Sequence, residues 1–259
     1  MHSYGQVNKI EHFFMSSPQA EKYFNFFKDK LDLPVVWKFQ TWTDFASGGL
    51  SLGNVAFEFV IYKGVTKTKF DGIAFEPKQH MEEFIVELEK YQIAHDTIEN
   101  NTHVNTKGDL VGWANMGLPE TLPKEANVFV CDYKQRELVF HNRKKAADSL
   151  YNKQGGALGI LSLREIVIAS NDFQKHKKNL SKLPGVKKYK NNLFSFQSGP
   201  SIRLKRSSHS AIEKIIVRVK SIPLAKAYLV SQNLLGKTTK STIFISENAI
   251  DGLQVELID

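Results

Sequence analysis

The side chains that could do chemistry in this 259-residue sequence are eight histidines, one cysteine and 27 carboxylates. The lone thiol, Cys131, excludes an intramolecular disulfide and a thiolate zinc cluster. It has no base beside it in sequence, and on a strand it reads as a small buried hydrophobe. Such cysteine usage fits a reducing, cytoplasmic setting. His2, His80, His95, His103, His141, His176 and His209 fall in terminal, helical or loop settings without ligand spacing, and read as surface residues. His12 differs, because it lies within a strand-like run from Val7 to Met15. The Gly155-Gly156-Ala157-Leu158-Gly159 run lacks the lysine and the strand–turn–helix context of a phosphate loop. Trp37, Phe39, Trp42, Phe45, Trp113 and Met116 stand on strand-like runs. Aromatic walls with a few polar groups suit a small, partly apolar or aromatic ligand, although strand alternation must send some of these rings into ordinary core.

Four copies of one pattern position these residues, each an apolar strand, a helix, then further strands. The first opens with Val7 to Met15. Ser17-Pro18 supplies an N-cap and a proline at the first helical position, and Ala20, Tyr23, Phe24, Phe27 and Leu31 form one helical face. Val35 to Phe45 follows as strand. Ser47-Gly48-Gly49 is expected to break it, with Leu50 to Tyr62 resuming through a turn or bulge at Gly53-Asn54. The second copy opens with Phe70 to Pro77. Met81, Phe84, Ile85 and Leu88 make its helical face, and strands follow a polar stretch (Glu99 to Lys107) at Leu110 to Asn115 and Asn127 to Tyr133. The third opens with Leu163 to Ala169. Asn171 or Asp172 caps a helix carrying Phe173, Leu180 and Leu183, and strands lie at Asn192 to Gln197 and Ser201 to Arg206. The fourth opens with Ile212 to Val219. Leu224, Ala227, Tyr228 and Leu235 are expected on a helix stopped by Gly236, with strands at Lys240 to Ser246 and Gly252 to Ile258.

One such unit cannot bury its sheet face alone, whereas two side by side can close a curved sheet around a shared cavity. The expectation is therefore an α+β chain of two tandem domains, each a pair of βαβββ modules forming a curved mixed sheet around a cavity. Asn142 to Ile160 separates them, giving domains at 1–147 and 148–259. Charge divides at the same place. Residues 1–147 hold 17 Lys and Arg against 19 Asp and Glu, a net of −2, while residues 148–259 hold 18 against 8, a net of +10. The basic half could attract phosphates or an acidic partner, or could simply be a solvated lysine-rich surface. Lys187-Lys188-Tyr189-Lys190 and Arg203-Leu204-Lys205-Arg206 mix charge with an aromatic in the manner of phosphate-holding surfaces. No nucleic-acid module is recognisable, so nucleic acid is not an expected partner. No apolar run approaches a membrane span, and no secretory signal is read at the N-terminus.

The run Lys9-Ile10-Glu11-His12-Phe13-Phe14-Met15 into a helix, with Phe45-Ala46-Ser47-Gly48-Gly49-Leu50-Ser51-Leu52-Gly53-Asn54 into Val55-Ala56-Phe57-Glu58-Phe59-Val60, resembles the vicinal oxygen chelate superfamily. That group includes glyoxalase I, extradiol dioxygenases and bleomycin-resistance proteins. The resemblance covers residues 6–140 well, and residues 160–259 only through element order and the ending Leu253-Gln254-Val255-Glu256-Leu257.

In that superfamily a first-strand His and a last-strand Glu point into the cavity, and the enzymes hold a divalent cation with three or four such His and Glu side chains. Imidazole and carboxylate suit Fe, Mn, Ni or Zn, and open positions admit substrate oxygens. The resemblance thus implies His12, Glu58 and Asp132 as metal ligands, with Asp71 or Gly72 where a fourth would stand and Glu58 in the catalytic role. A one-residue shift would turn Cys131 inward in place of Asp132. Trp37, Phe39, Trp42, Phe45 and Trp113 are the implied substrate-binding residues. The chemistry implied is metal-assisted lyase, isomerase or ring-cleaving dioxygenase chemistry on a small organic molecule. The competing readings are a metal-free sequestering protein of the bleomycin-resistance type, with His12 and Glu58 a hydrogen-bonded pair, and a basic module docking on an acidic macromolecule. In the C-terminal half Glu165 matches His12, and Arg203, Leu204 or Lys205 matches Glu58. That half reads as degenerate, its Glu256 paired with Arg203, Lys205 or Lys214. Either a monomer or a homodimer is compatible with two domains in one chain.

Overall fold

The computed structural model describes residues 6–42, 44–104 and 110–259. Four βαβββ modules build two eight-stranded mixed sheets. The first module is β1 (Val7–Ser16), α1 (Ala20–Asn25), β2 (Val35–Thr41), β3 (Phe45–Ser51) and β4 (Ala56–Tyr62). The second is β5 (Lys69–Pro77), α2 (Met81–Lys90), β6 (Glu99–Val104), β7 (Leu110–Gly117) and β8 (Val128–Tyr133). Helix α3 (Arg136–Asn152) then leads to the third module, β9 (Ile160–Ser170), α4 (Phe173–Lys182), β10 (Lys187–Lys188), β11 (Leu193–Ser195) and β12 (Ser201–Arg206). The fourth is β13 (Ala211–Val219), α5 (Ile222–Ser231), β14 (Leu235–Thr238), β15 (Ile243–Ile245) and β16 (Val255–Ile258). Strand order is β2-β3-β4-β1-β5-β8-β7-β6 in one sheet and β10-β11-β12-β9-β13-β16-β15-β14 in the other. In each sheet the two opening strands pair antiparallel at the centre, and each runs parallel to the last strand of its own module.

Helices α1 and α2 cover the convex face of the N-terminal sheet. Ala20, Tyr23, Phe24, Phe27 and Leu31 are all buried, as their spacing predicts, with the second half of that segment (Phe26–Lys30) wound as a π-helix. Phe13 stacks on Phe57 at a centroid distance of 4.5 Å, and Phe27 meets Phe57 edge-on at 5.3 Å. The sheet curls strongly. Phe45 on β3 and Trp113 on β7 lie several strands apart in the sheet order, yet their rings are 6.4 Å apart.

Several local expectations are corrected. The first strand run ends at Thr41 and the next begins at Phe45, so Ser47-Gly48-Gly49 lies inside β3. The glycines serve packing, because a Cβ on Gly48 would lie 2.8 Å from Phe24 and one on Gly49 2.4 Å from the Trp37 ring. The polar run from Glu99 supplies the edge strand β6, where polar side chains suit a solvated edge. Helix α5 turns Ala225 and Leu229 inward and leaves Leu224 exposed, and Gly236 lies within β14. Ser221, ahead of Pro223, caps that helix, its side chain accepting from Leu224 N. His176 is buried and hydrogen-bonds Ser170 Oγ at 2.7 Å, where a surface residue is expected.

Residues 147 and 148 both fall within α3. The two sheets share one continuous hydrophobic core. The Asn54 side chain bonds both Leu163 N and Leu163 O, at 3.0 and 2.9 Å, and Gln197 N donates to Asn8 O at 3.1 Å. No helix among the described residues is long and apolar enough to cross a membrane.

Candidate functional site

The concave face of the N-terminal sheet gathers a polar network around His12. Strand pairing sets Phe14 beside Glu58 and His12 beside Ala56, so His12 and Glu58 project from neighbouring strands onto one face. His12 Nε2 stands 3.3 Å from Glu58 Oε2. On its other side His12 Nδ1 contacts Glu11 Oε2. Two adjacent strand residues share one face here because the β1–β5 register slips between Ile10 and His12, a bulge at Glu11. Glu11 in turn receives the Arg143 guanidinium, which also donates to Glu11 O at 3.1 Å and to Tyr133 Oη at 3.0 Å, and Tyr133 donates to Glu11 Oε2 at 3.1 Å. Arg143 lies over the Trp37 and Tyr133 rings at 5.4 and 5.5 Å. Trp37 and Phe129 flank the imidazole at 6.4 and 5.8 Å.

The electrostatics follow from these contacts. Burial by itself would raise the Glu11 carboxyl, but the adjacent Arg143 guanidinium and the His12 ring outweigh it and hold the group down to about 2. Burial dominates at Glu58 and pushes its carboxyl up, against opposing pulls from His12 and a hydrogen bond with Ser47. One carboxylate beside His12 is thus fixed as an anion, while the other is shifted towards its neutral form. Burial also drives the Cys131 thiol and the Tyr133 phenol well above their ordinary values. Cys131 is therefore a neutral thiol rather than a nucleophile.

The expected residues divide into three groups. His12, Glu58 and Trp37 come together. Trp42, Phe45 and Trp113 form a second aromatic cluster where the curled sheet edges meet, with centroids 5.6 to 6.4 Å apart. Phe39 and Asp132 point elsewhere. A register shift between Trp37 and Gln40 turns Phe39 to the convex side, where it meets Phe24 at 5.8 Å. Asp132 also lies on the convex side, accepting from Arg136 Nε at 3.0 Å and from Met81 N, at the start of α2, at 3.2 Å. Strand alternation gives the concave positions of β8 to Phe129, Cys131 and Tyr133. Asp71 is held by Lys69 Nζ at 2.5 Å and by Tyr62, away from His12. Gly72 pairs with Phe14, whose ring a Cβ there would strike at 2.2 Å.

Glu11, Ser47, Tyr133 and Arg143 are the members of the network that the sequence does not single out. Glu11 depends on a bulge, and Arg143 on a helix that reads as an interdomain connection. Only the adjacency of Glu11 and His12 offers a signal.

The donor set does not match a three- or four-ligand metal centre. Two donors converge, His12 Nε2 and Glu58, and they already contact each other. The second module presents Gly72, Ala74, Phe129 and a neutral thiol opposite them, and Glu11 is neutralised by a guanidinium. Among the described residues no cluster of three or more His, Cys, Asp or Glu side chains has metal-holding geometry. A groove of about 300 Å³ reaches the network from the α3 side, lined in part by Lys9, Glu11, Phe140 and Arg143.

The C-terminal sheet repeats the register with different chemistry. Glu165 pairs with Ser201 and Val167 with Arg203, as His12 pairs with Ala56 and Phe14 with Glu58. At those positions Arg203 makes a two-pronged ion pair with Glu165, at 2.5 and 2.9 Å. Glu256 pairs with Lys214 Nζ at 2.5 Å. Both potential donors are consumed by cations.

Neither a protein-family model nor a curated protein matches this sequence. Solved structures do match. A hypothetical protein from Staphylococcus aureus superposes with a TM-score of 0.69 at 13% identity, over 97% of this chain and 99% of that one. Homoprotocatechuate 2,3-dioxygenase from Brevibacterium fuscum, in variant form, gives 0.60 at 10% identity, over 99% and 72%. The Arthrobacter globiformis enzyme of the same name gives 0.59 at 12% identity, over 98% and 80%. The Brevibacterium fuscum enzyme is also known in complex with 3,4-dihydroxyphenylacetate. At these identities the likeness establishes the fold, the two-domain α+β architecture of extradiol dioxygenases.

Proposed function

We propose that this protein binds a small, planar organic molecule on the concave face of its N-terminal sheet, against His12 and Trp37, without a metal ion. The observation that carries the reading is the bracketing of His12 by Glu11 and Glu58, which occupies both ring nitrogens with carboxylates. The metal-assisted lyase, isomerase and dioxygenase readings need a third donor that Asp132 does not supply from its place beside Arg136 and α2. Trp37 and Phe129 offer apolar walls to a flat ligand, and Glu58 offers it a hydrogen-bonding group that can carry a proton.

The raised Glu58 carboxyl favours a second reading, in which the same site moves a proton on its ligand, with Glu58 as the acid and His12 as the acceptor. Neither reading routes a step through a metal.

The deciding experiment is elemental analysis of tag-free protein incubated with Fe, Mn, Ni and Zn, followed by calorimetric titration with small aromatic acids, 3,4-dihydroxyphenylacetate among them. Substoichiometric metal together with saturable binding that is lost in Trp37→Ala supports the proposal. One bound metal per chain, lost in His12→Ala, overturns it in favour of the metalloenzyme reading.

A further inference from the structure

The third module carries an unusual charge distribution that the site does not use. From Phe173 to Ile212 the sequence contains ten Lys and Arg residues and no Asp or Glu. Much of this charge falls on two consecutive elements of the module, helix α4 and the edge hairpin β10–β11. Helix α4 turns Phe173, His176 and Leu180 inward, which leaves Lys175, Lys178 and Lys182 together on its outer side. The chain then enters the edge strand β10 and the turn after it, where Lys187, Lys188, Tyr189 and Lys190 are all exposed. Arg206, at the end of β12, and Lys177 converge on the Phe173 ring at 5.1 and 5.4 Å.

Two further observations give this surface a direction. Lys178, Lys182, Lys187, Lys188 and Lys190 form no ion pair among the described residues, whereas Lys175, Arg203 and Lys205 of the same module do. Like charges at i and i+4, such as Lys178 and Lys182, weaken a helix, and an external polyanion would relieve that repulsion. In addition, Tyr189 is 54% exposed in the middle of the lysines. The tight turn behind it, with Asn191 and Asn192 at φ +58° and +55° and Arg203 donating to Asn191 O at 3.2 Å, holds it at the tip of the β10–β11 hairpin. Free lysines alone suit any polyanion. Lysines alternating with a presented aromatic ring suit a chain that offers phosphates and flat bases together, and this is the combination that grips single-stranded nucleic acid.

We propose that the flank formed by α4 and the β10–β11 hairpin is a sequence-tolerant binding surface for single-stranded nucleic acid, with Tyr189 stacking on a base and Lys178, Lys182, Lys187, Lys188 and Lys190 holding phosphates. The surface is independent of the His12 site and stands whatever that site binds.

The test is fluorescence anisotropy of the whole protein with a labelled 20-nucleotide oligothymidylate across 50–200 mM salt, with heparin and phosphatidylserine vesicles as parallel probes. Wild type is expected to bind with strong salt dependence. Lys187→Ala/Lys188→Ala/Lys190→Ala should lower the slope of log K against log salt by about 2, at roughly 0.7 for each phosphate no longer neutralised. Tyr189→Ala should weaken oligonucleotide binding about tenfold and leave heparin binding unchanged. These side chains are exposed, and unchanged circular dichroism confirms that the variants fold. Absence of oligonucleotide binding at 50 mM salt overturns the proposal. So does equal loss of heparin and oligonucleotide binding in Tyr189→Ala, or binding to vesicles but not to the oligonucleotide.

Discussion

Arg143 reaches out of α3 and grips Glu11 twice, at its carboxylate and at its backbone carbonyl. The contact joins the interdomain helix to the strand that carries His12. A guanidinium with two acceptors on one residue fixes both the helix and the bulge. Removing it strands a buried carboxylate, so Arg143→Ala should destabilise the fold by about 3 kcal/mol or more. Urea denaturation would measure the loss. The double variant Arg143→Met/Glu11→Met should recover much of it, because neither charge is then left unpaired.

Glu11 also sets an acid limb of stability. Its folded-state value, about 2, lies below the ordinary 4.5, so the unfolded chain binds the proton more readily. Its contribution is present above about pH 4.5 and is lost as pH falls towards 2. The full effect is about 3 kcal/mol at neutral pH. In Glu11→Gln, stability measured by denaturation between pH 5 and 2.5 should lose most of this slope while falling at pH 7.

Glu58 works in the opposite sense. Burial raises its carboxyl, so the folded chain keeps a proton that the unfolded chain releases, and stability falls as pH rises past the ordinary value. Glu58→Gln supplies a neutral isostere. It should flatten that fall and make the variant at least as stable as wild type at pH 7, although ligand binding is weakened. A melting temperature at pH 7 clearly below that of wild type would contradict this account.

Gly49 is a packing requirement for Trp37. A Cβ there would lie 2.4 Å from the indole, so Gly49→Ala must displace the ring from its place between His12 and Arg143. A cost of about 2 kcal/mol is expected from overpacking. A changed tryptophan emission spectrum and weaker binding of the aromatic acids should accompany it.

The repeated architecture is legible in the sequence because each module carries its own local signals. The face Ala20, Tyr23, Phe24, Phe27 and Leu31 needs only helical periodicity and a core to cover, and it is buried as spaced. Asp172 is a capping residue by type, and its carboxylate accepts from Lys175 N at 3.3 Å. Where a glycine or a serine has two uses the local signal misleads, as at Gly48 and Gly49, whose missing side chains make room for Phe24 and Trp37 within a strand rather than for a turn.

The site is legible only in part. His12 and Glu58 meet because the strands that carry them are parallel neighbours, and alternation then fixes their shared face. Asp132 and Cys131 differ by one position, and a strand sends adjacent side chains to opposite faces, so a single residue of register separates a ligand from a core contact. Glu11 is brought inward by a bulge, and Phe39 is turned outward by a register shift. Neither irregularity has a marker in residue type.

The sequence by itself determines the four βαβββ modules, their pairing into two curved sheets, the basic character of the C-terminal half and the candidacy of His12 with Glu58. These rest on periodicity, composition and local turn chemistry, which act over a few residues. Only the tertiary structure decides that Arg143 neutralises Glu11, that Asp132 faces α2, and that Glu165 with Arg203 fills the place His12 and Glu58 hold in the other sheet. Those outcomes depend on strand register and on a helix crossing from one domain to the next. The charges involved lie up to 132 positions apart in the chain, a separation that no local pattern encodes.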